Sequence, residues 1–116
     1  MKVTKENTGN LTAVLRIDIS QDDYTPKLDE QLKSYRRKAN MPGFRPGQVP
    51  MGMIKKMYEV PLRAEIIEKL MSDSMYEYFE AEKVRILGYP LANDEKTKVD
   101  WNNQKDFTFY FDIALE

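Results

Sequence analysis

Apolar residues fall on alternate positions in two stretches of this chain and at helical spacing between them. From Leu11 to Ile19 the odd positions are Leu11, Ala13, Leu15, Ile17 and Ile19, set against Thr12, Arg16 and Asp18. A period of two predicts a strand buried on one face. Phe107, Phe109, Phe111, Ile113 and Leu115 repeat the pattern against Thr108, Tyr110, Asp112 and Ala114, the best strand in the chain. Lys2 to Glu6 has weak strand character. The turn residues Asn7-Thr8-Gly9-Asn10 join it to the next strand as an antiparallel hairpin. Ile86 to Ala92, interrupted by Gly88 and Pro90, predicts a short irregular or edge strand.

The middle of the chain changes period. Asp22-Asp23-Tyr24-Thr25-Pro26 predicts a helix start, with Asp or Thr as the cap and Pro26 in the first turn. Tyr24, Leu28, Leu32, Tyr35 and Ala39 follow at spacings of three or four. A Gly/Pro-rich segment ends this helix. Pro50 then predicts a short second helix, Met51 to Tyr58, and Pro61 a long third one to about Lys83. The third bears a broad stripe of Leu62, Ile66, Ile67, Leu70, Met71, Met75, Tyr78 and Phe79.

The expected order is strand, strand, helix, helix, helix, strand, strand. That order predicts an α+β fold: terminal strands in one antiparallel sheet, the long helix on its apolar face, and a protruding helix-loop-helix tip. The 116 residues fit one domain. Because the last strand pattern is still running at Glu116, the expectation is a domain excised from a longer chain.

Charge sharpens the picture. From Gln31 to Tyr58 the chain carries Lys33, Arg36, Arg37, Lys38, Arg45, Lys55 and Lys56 and no Asp or Glu, a local charge of +7. The remaining eleven basic and nineteen acidic residues give −8, so a net charge of −1 hides a strong dipole. The basic end should attract polyanions. Cations in the last turn of the first helix also complement its dipole, which accounts for part of the cluster.

Enzymatic chemistry finds little support. With no Cys and no His, thiolate chemistry, disulfides and the usual general base are excluded. The pairs Asp22-Asp23 and Asp94-Glu95 lack partners for acid–base or metal work, and no cofactor is called for. No secretory signal or membrane-spanning run is read, so a cytoplasmic location is expected. The internal methionines are assigned to packing on the helices, and Trp101 receives no function.

The segment Met41-Pro42-Gly43-Phe44-Arg45-Pro46-Gly47-Gln48-Val49-Pro50 is the candidate site. Glycine and proline suit a surface loop, which places the Phe44 ring in water beside the Arg45 guanidinium. An aromatic ring can fill an apolar pocket, and a guanidinium can grip a carboxylate or phosphate with two parallel hydrogen bonds. Gly43-x-x-x-Gly47 lacks the Lys-Ser/Thr ending of a phosphate-cradling loop.

Gly43-Phe44-Arg45-Pro46-Gly47-Gln48-Val49-Pro50 closely resembles the signature of trigger factor, the ribosome-associated bacterial chaperone family: Gly-Phe-Arg, a variable residue, Gly, usually Lys, one residue, then Pro. The order and length of the remaining elements are similar to that family's N-terminal ribosome-binding domain. The resemblance implies that Gly43, Phe44, Arg45, Pro46, Gly47 and Gln48 dock beside the peptide tunnel exit of the large ribosomal subunit. The partners it implies are a tunnel-exit ribosomal protein, nearby rRNA and nascent polypeptides, with homodimerisation off the ribosome and no membrane. Pro46 and Gln48 stand where the family often has Lys, which removes positive charge from the tip. The family's prolyl isomerase domain is not in this chain, so no enzyme is expected. From charge alone, Lys33, Arg36, Arg37, Lys38, Lys55 and Lys56 are candidates for rRNA phosphate contacts. Two competing readings are a general RNA-binding module and a self-associating, peptide-holding chaperone fragment.

Overall fold

The computed structural model describes residues 1–102 and 104–116. The elements run β1 (Lys2–Asn7), β2 (Thr12–Ile19), α1 (Gln21–Lys38), α2 (Met51–Ala81), β3 (Ile86–Ala92) and β4 (Phe107–Leu115). The four strands form one antiparallel sheet in the order β1-β2-β4-β3. This is the expected α+β architecture, with two helices in place of three.

Alternation places the sheet core. β2 and β4 lie in register so that Ala13 faces Ile113, Leu15 faces Phe111, Ile17 faces Phe109 and Ile19 faces Phe107. All eight side chains are buried on one face, and the C-terminal half of α2 covers them with Ile67, Met75 and Phe79. Each large side chain buried in this way contributes roughly 1.5–3 kcal/mol. β3 is the irregular edge strand that Gly88 and Pro90 predict, with a register shift between Leu87 and Leu91.

The second and third expected helices are one. Pro61 lies inside α2, where it offers no N–H to the carbonyl one turn back. The cost is about 3 kcal/mol. Ile54 before the proline, and Leu62, Ile66 and Ile67 after it, are all buried. Packing on both sides of Pro61 therefore outweighs the lost bond. α2 ends where Lys83 takes a left-handed conformation (φ 53°). There the Val84 N–H donates to the Phe79 carbonyl at 2.8 Å and the Lys83 N–H to the Glu80 carbonyl at 3.3 Å, a closure that satisfies carbonyls left over at the helix end.

α1 begins earlier than its sequence predicts. The cap is Ser20, and Pro26 sits inside the helix, in its second turn. The Asp23 carboxylate accepts hydrogen bonds from the Ser20 N–H (2.8 Å) and the Ser20 hydroxyl (3.0 Å). It also pairs with the N-terminal ammonium at 3.1 Å. A carboxylate in the first turn is favoured by the helix dipole.

Trp101 belongs to the core's border. Its ring lies 5.1 Å from Phe107 and 6.3 Å from Phe109. Its carbonyl accepts from Nη2 of Arg63, a buried arginine that also pairs with Glu59 at 3.3 Å. Nearby, the Tyr24 hydroxyl donates to the Lys105 carbonyl at 2.5 Å. Burial pushes the Tyr24 phenol up, against a smaller opposing pull from the Arg63 charge. These contacts tie Trp101, Lys105 and Phe107 to the root of the helices.

From that root α1 and α2 run out as an antiparallel arm. The chain measures 62 × 26 × 23 Å, with a radius of gyration of 18.0 Å. A compact domain of about 100 residues would have roughly 13 Å. The excess comes from the arm, whose end is the Gly/Pro loop.

Candidate functional site

The loop contains the same four-residue motif twice. Met41-Pro42-Gly43-Phe44 closes with the Phe44 N–H donating to the Met41 carbonyl at 3.1 Å. Arg45-Pro46-Gly47-Gln48 closes with the Gln48 N–H donating to the Arg45 carbonyl at 2.9 Å. In each, proline holds the second position and glycine the third, with φ of +87° at Gly43 and +81° at Gly47. That is the pattern of a type II turn: proline presets the second residue's φ and the third requires a positive one. Pro46 therefore has a structural task where the family signature allows variation.

Phe44 closes the first turn and Arg45 opens the second. Both are exposed, Phe44 to 38%. Two adjacent turns thus place these neighbouring exposed residues in the loop that joins α1 to α2. Pro42, Gly43, Pro46 and Gln48 are exposed around them, and Gly47 is half-buried.

Beneath the tip the loop is anchored. Val49 is fully buried and Met41 packs partly against the core. Arg36 Nε donates to the Val49 carbonyl at 2.8 Å. Below this bond, Tyr35 and Tyr58 meet edge to face, 4.9 Å between ring centres. With Lys38 and Ala39 they line an open hollow of about 350 Å³.

The basic residues do not share one patch. Arg37 lines a groove between the helices with Lys27, Glu30, Ser34 and Lys69. Lys55 lines a different groove, with Tyr24, Glu59, Arg63 and Lys105, and Lys38 belongs to the hollow beside Tyr35. Lys33, Arg37, Lys38, Lys55 and Lys56 are exposed, while Arg36 is half-buried. Arg37, Lys38 and Lys55 thus border three separate hollows along the arm. Met53 and Met57 are also exposed along it, at odds with a packing role, whereas Met75 is buried as expected. The repeated X-Pro-Gly-X motif was present in the sequence as the signal for the paired turns. Nothing in the sequence marks Arg36 as the residue that reaches Val49.

Among the described residues, no group of His, Cys, Asp or Glu could hold a metal ion, and no helix is long and apolar enough to cross a membrane. The family described as "Bacterial trigger factor protein (TF)" matches residues 1–116. The trigger factor of Hahella chejuensis is 30% identical over 116 residues, covering 100% of this chain and 26% of that protein. The trigger factor of Borrelia hermsii is 36% identical over 102 residues, covering 86% of this chain and 23% of that protein. A solved structure of the trigger factor chaperone superposes with a TM-score of 0.61 at 13% identity, over all of this chain and 27% of the other. At that identity the superposition speaks to the fold. The chain spans about a quarter of the length of these relatives. The N-terminal match takes up all 116 residues, so the family's prolyl isomerase domain falls outside them.

Proposed function

The chain belongs to the bacterial trigger factor family, and from that premise we propose that it is the domain that docks the chaperone beside the peptide tunnel exit of the large ribosomal subunit. The observation that carries this reading is the exposed pair Phe44–Arg45, held where two proline–glycine turns meet at the end of the arm. Phe44 enters an apolar pocket on a tunnel-exit ribosomal protein, and Arg45 pairs with a carboxylate beside it. Both side chains project from a loop with preset backbone angles, so little ordering entropy is lost on binding. The cations around the arm add long-range attraction to rRNA phosphates, which weakens as salt rises. Once docked, the chaperone stands over the emerging nascent chain and assists its folding.

A central anchor of this kind is worth about 2 kcal/mol or more, roughly a 30-fold change in affinity. Replacing Phe44 and Arg45 together by alanine should abolish co-sedimentation with 70S ribosomes while leaving the circular dichroism spectrum unchanged. Undiminished binding by the double variant would overturn the mechanism. Salt-sensitive binding to naked rRNA that ignores Phe44 would favour a general RNA-binding module instead.

A further inference from the structure

We infer that Arg36 is a positioning residue for the docking tip rather than a phosphate contact, an inference that rests on the docking reading above. The two turn bonds, Phe44 to Met41 and Gln48 to Arg45, shape the loop internally. Neither connects it to a helix. Apart from the backbone cap bonds at Ala39 and Pro50, the Arg36 side chain makes that connection. It leaves the last turn of α1 and donates Nε–H to the carbonyl of Val49, thirteen residues on and next to the Pro50 cap of α2. The bond spans the mouth of the loop and ties its outgoing limb to its returning one.

The chemistry of the contact suits arginine in particular. Val49 is fully buried, and a buried carbonyl needs a donor. The first backbone bonds of α2, from Met53 and Ile54, go to the carbonyl of Pro50. Val49 is therefore served from the side, by Arg36. The guanidinium is planar and its Nε–H direction is fixed by the side-chain stem. Using Nε at Val49 sets the plane of the whole group against the loop. Lysine at this position would place a methylene where Nε stands, so it preserves the charge and loses the latch. Gly47 also borders α1: a Cβ there would make an ordinary van der Waals contact, 3.7 Å from the Arg37 carbonyl. The second turn thus lies against the end of α1, with Phe44 and Arg45 leading into it. If the latch opens, the two anchors keep their chemistry and lose their common orientation.

The test compares Arg36→Lys, Arg36→Met and Arg37→Met with the unaltered chain. Two quantities are read: amide hydrogen exchange at Phe44 and Gln48 in the free chain, and affinity for 70S ribosomes at two salt concentrations. Urea midpoints check that each variant is folded. Both Arg36 variants should speed exchange at Gln48 about tenfold and weaken ribosome binding about tenfold. Arg36→Lys should keep the salt dependence of the unaltered chain, because no charge is lost. Arg37→Met should leave exchange alone and reduce the salt slope by about one. Unaltered exchange in both Arg36 variants, or full ribosome affinity in Arg36→Lys, would overturn the positioning role. Failure of the unaltered chain to bind ribosomes would overturn the docking reading instead, and the exchange data would still decide whether Arg36 holds the loop.

Discussion

The sheet and the tip are built by opposite means. In the sheet, order comes from side chains: Leu15, Ile17, Ile19 and Phe107 are almost wholly removed from water, and the backbone follows the pattern they impose. At the tip, order comes from the backbone: two glycines with positive φ, two prolines and the Arg36 bond shape a loop in which Arg45 is exposed and Phe44 keeps 38% of its surface in water. A core spends its apolar groups on folding. The tip leaves its own available for a partner. The two tasks therefore sit at opposite ends of the molecule, and changes at one end should leave the other nearly intact.

The largest expected effect is at the sheet end. Phe107 is 1% exposed and touches both Tyr24 and Trp101. Phe107→Ala should cost about 3–5 kcal/mol, the range for emptying an aromatic site. Urea unfolding followed by circular dichroism measures it. Ribosome binding should fall only in proportion to the unfolded fraction. A stable Phe107→Ala chain with impaired docking would break the division between the two ends.

Changes at the tip should produce the reverse pattern. Gly43 holds φ of +87° with nothing near the position of a new Cβ. Gly43→Ala therefore strains only the backbone, by about 1–2 kcal/mol. The first turn should open, the urea midpoint should hardly move, and ribosome affinity should drop about tenfold. A large shift in the midpoint would show that the tip contributes to the global fold. Normal docking by Gly43→Ala would show that the turn's shape is irrelevant to binding.

The same contrast decides what can be read from the chain alone. Strands and core face were legible because alternation is a property of side chains, and side chains are what a sequence states directly. The tip was legible as a loop for a related reason, since proline and glycine encode backbone angles. Long-range contacts were not. Pro61 signals a helix boundary locally, yet Ile54 and Leu62 pack on either side of it and α2 runs through. Trp101 looks idle in a polar stretch until folding brings it against Phe107. Arg36 reads as one more surface charge, because its partner is a backbone carbonyl with no sequence signature. The start of α1 was missed for a simpler reason: Ser20 and Asp23 form a capping box with Asp in place of the usual Glu or Gln.

That box supplies the smallest and most local prediction. Asp23 feels two opposing influences. Partial burial pushes its carboxyl up. The hydrogen bonds from the Ser20 backbone, the N-terminal ammonium and the Ser20 hydroxyl, together with the ammonium's charge, outweigh burial and leave it below the ordinary aspartate value. A carboxyl with a lowered folded-state pKa stabilises the fold above its unfolded value. That stability is lost as pH falls through the folded value, because the unfolded chain then binds the proton more readily. Asp23→Asn should therefore cost about 0.3–1 kcal/mol at neutral pH, the worth of a carboxylate in the first turn of a helix. The gap between variant and unaltered chain should close on acidification below pH ~4. Urea midpoints across that range measure it. Since Ser20 and Asp23 lie at the sheet end of α1, exchange at Phe44 and Gln48 should stay the same at every pH where the chain is folded. Faster exchange at the tip on loss of this cap would mean that α1 transmits strain along its whole length, and the two ends would no longer be separable.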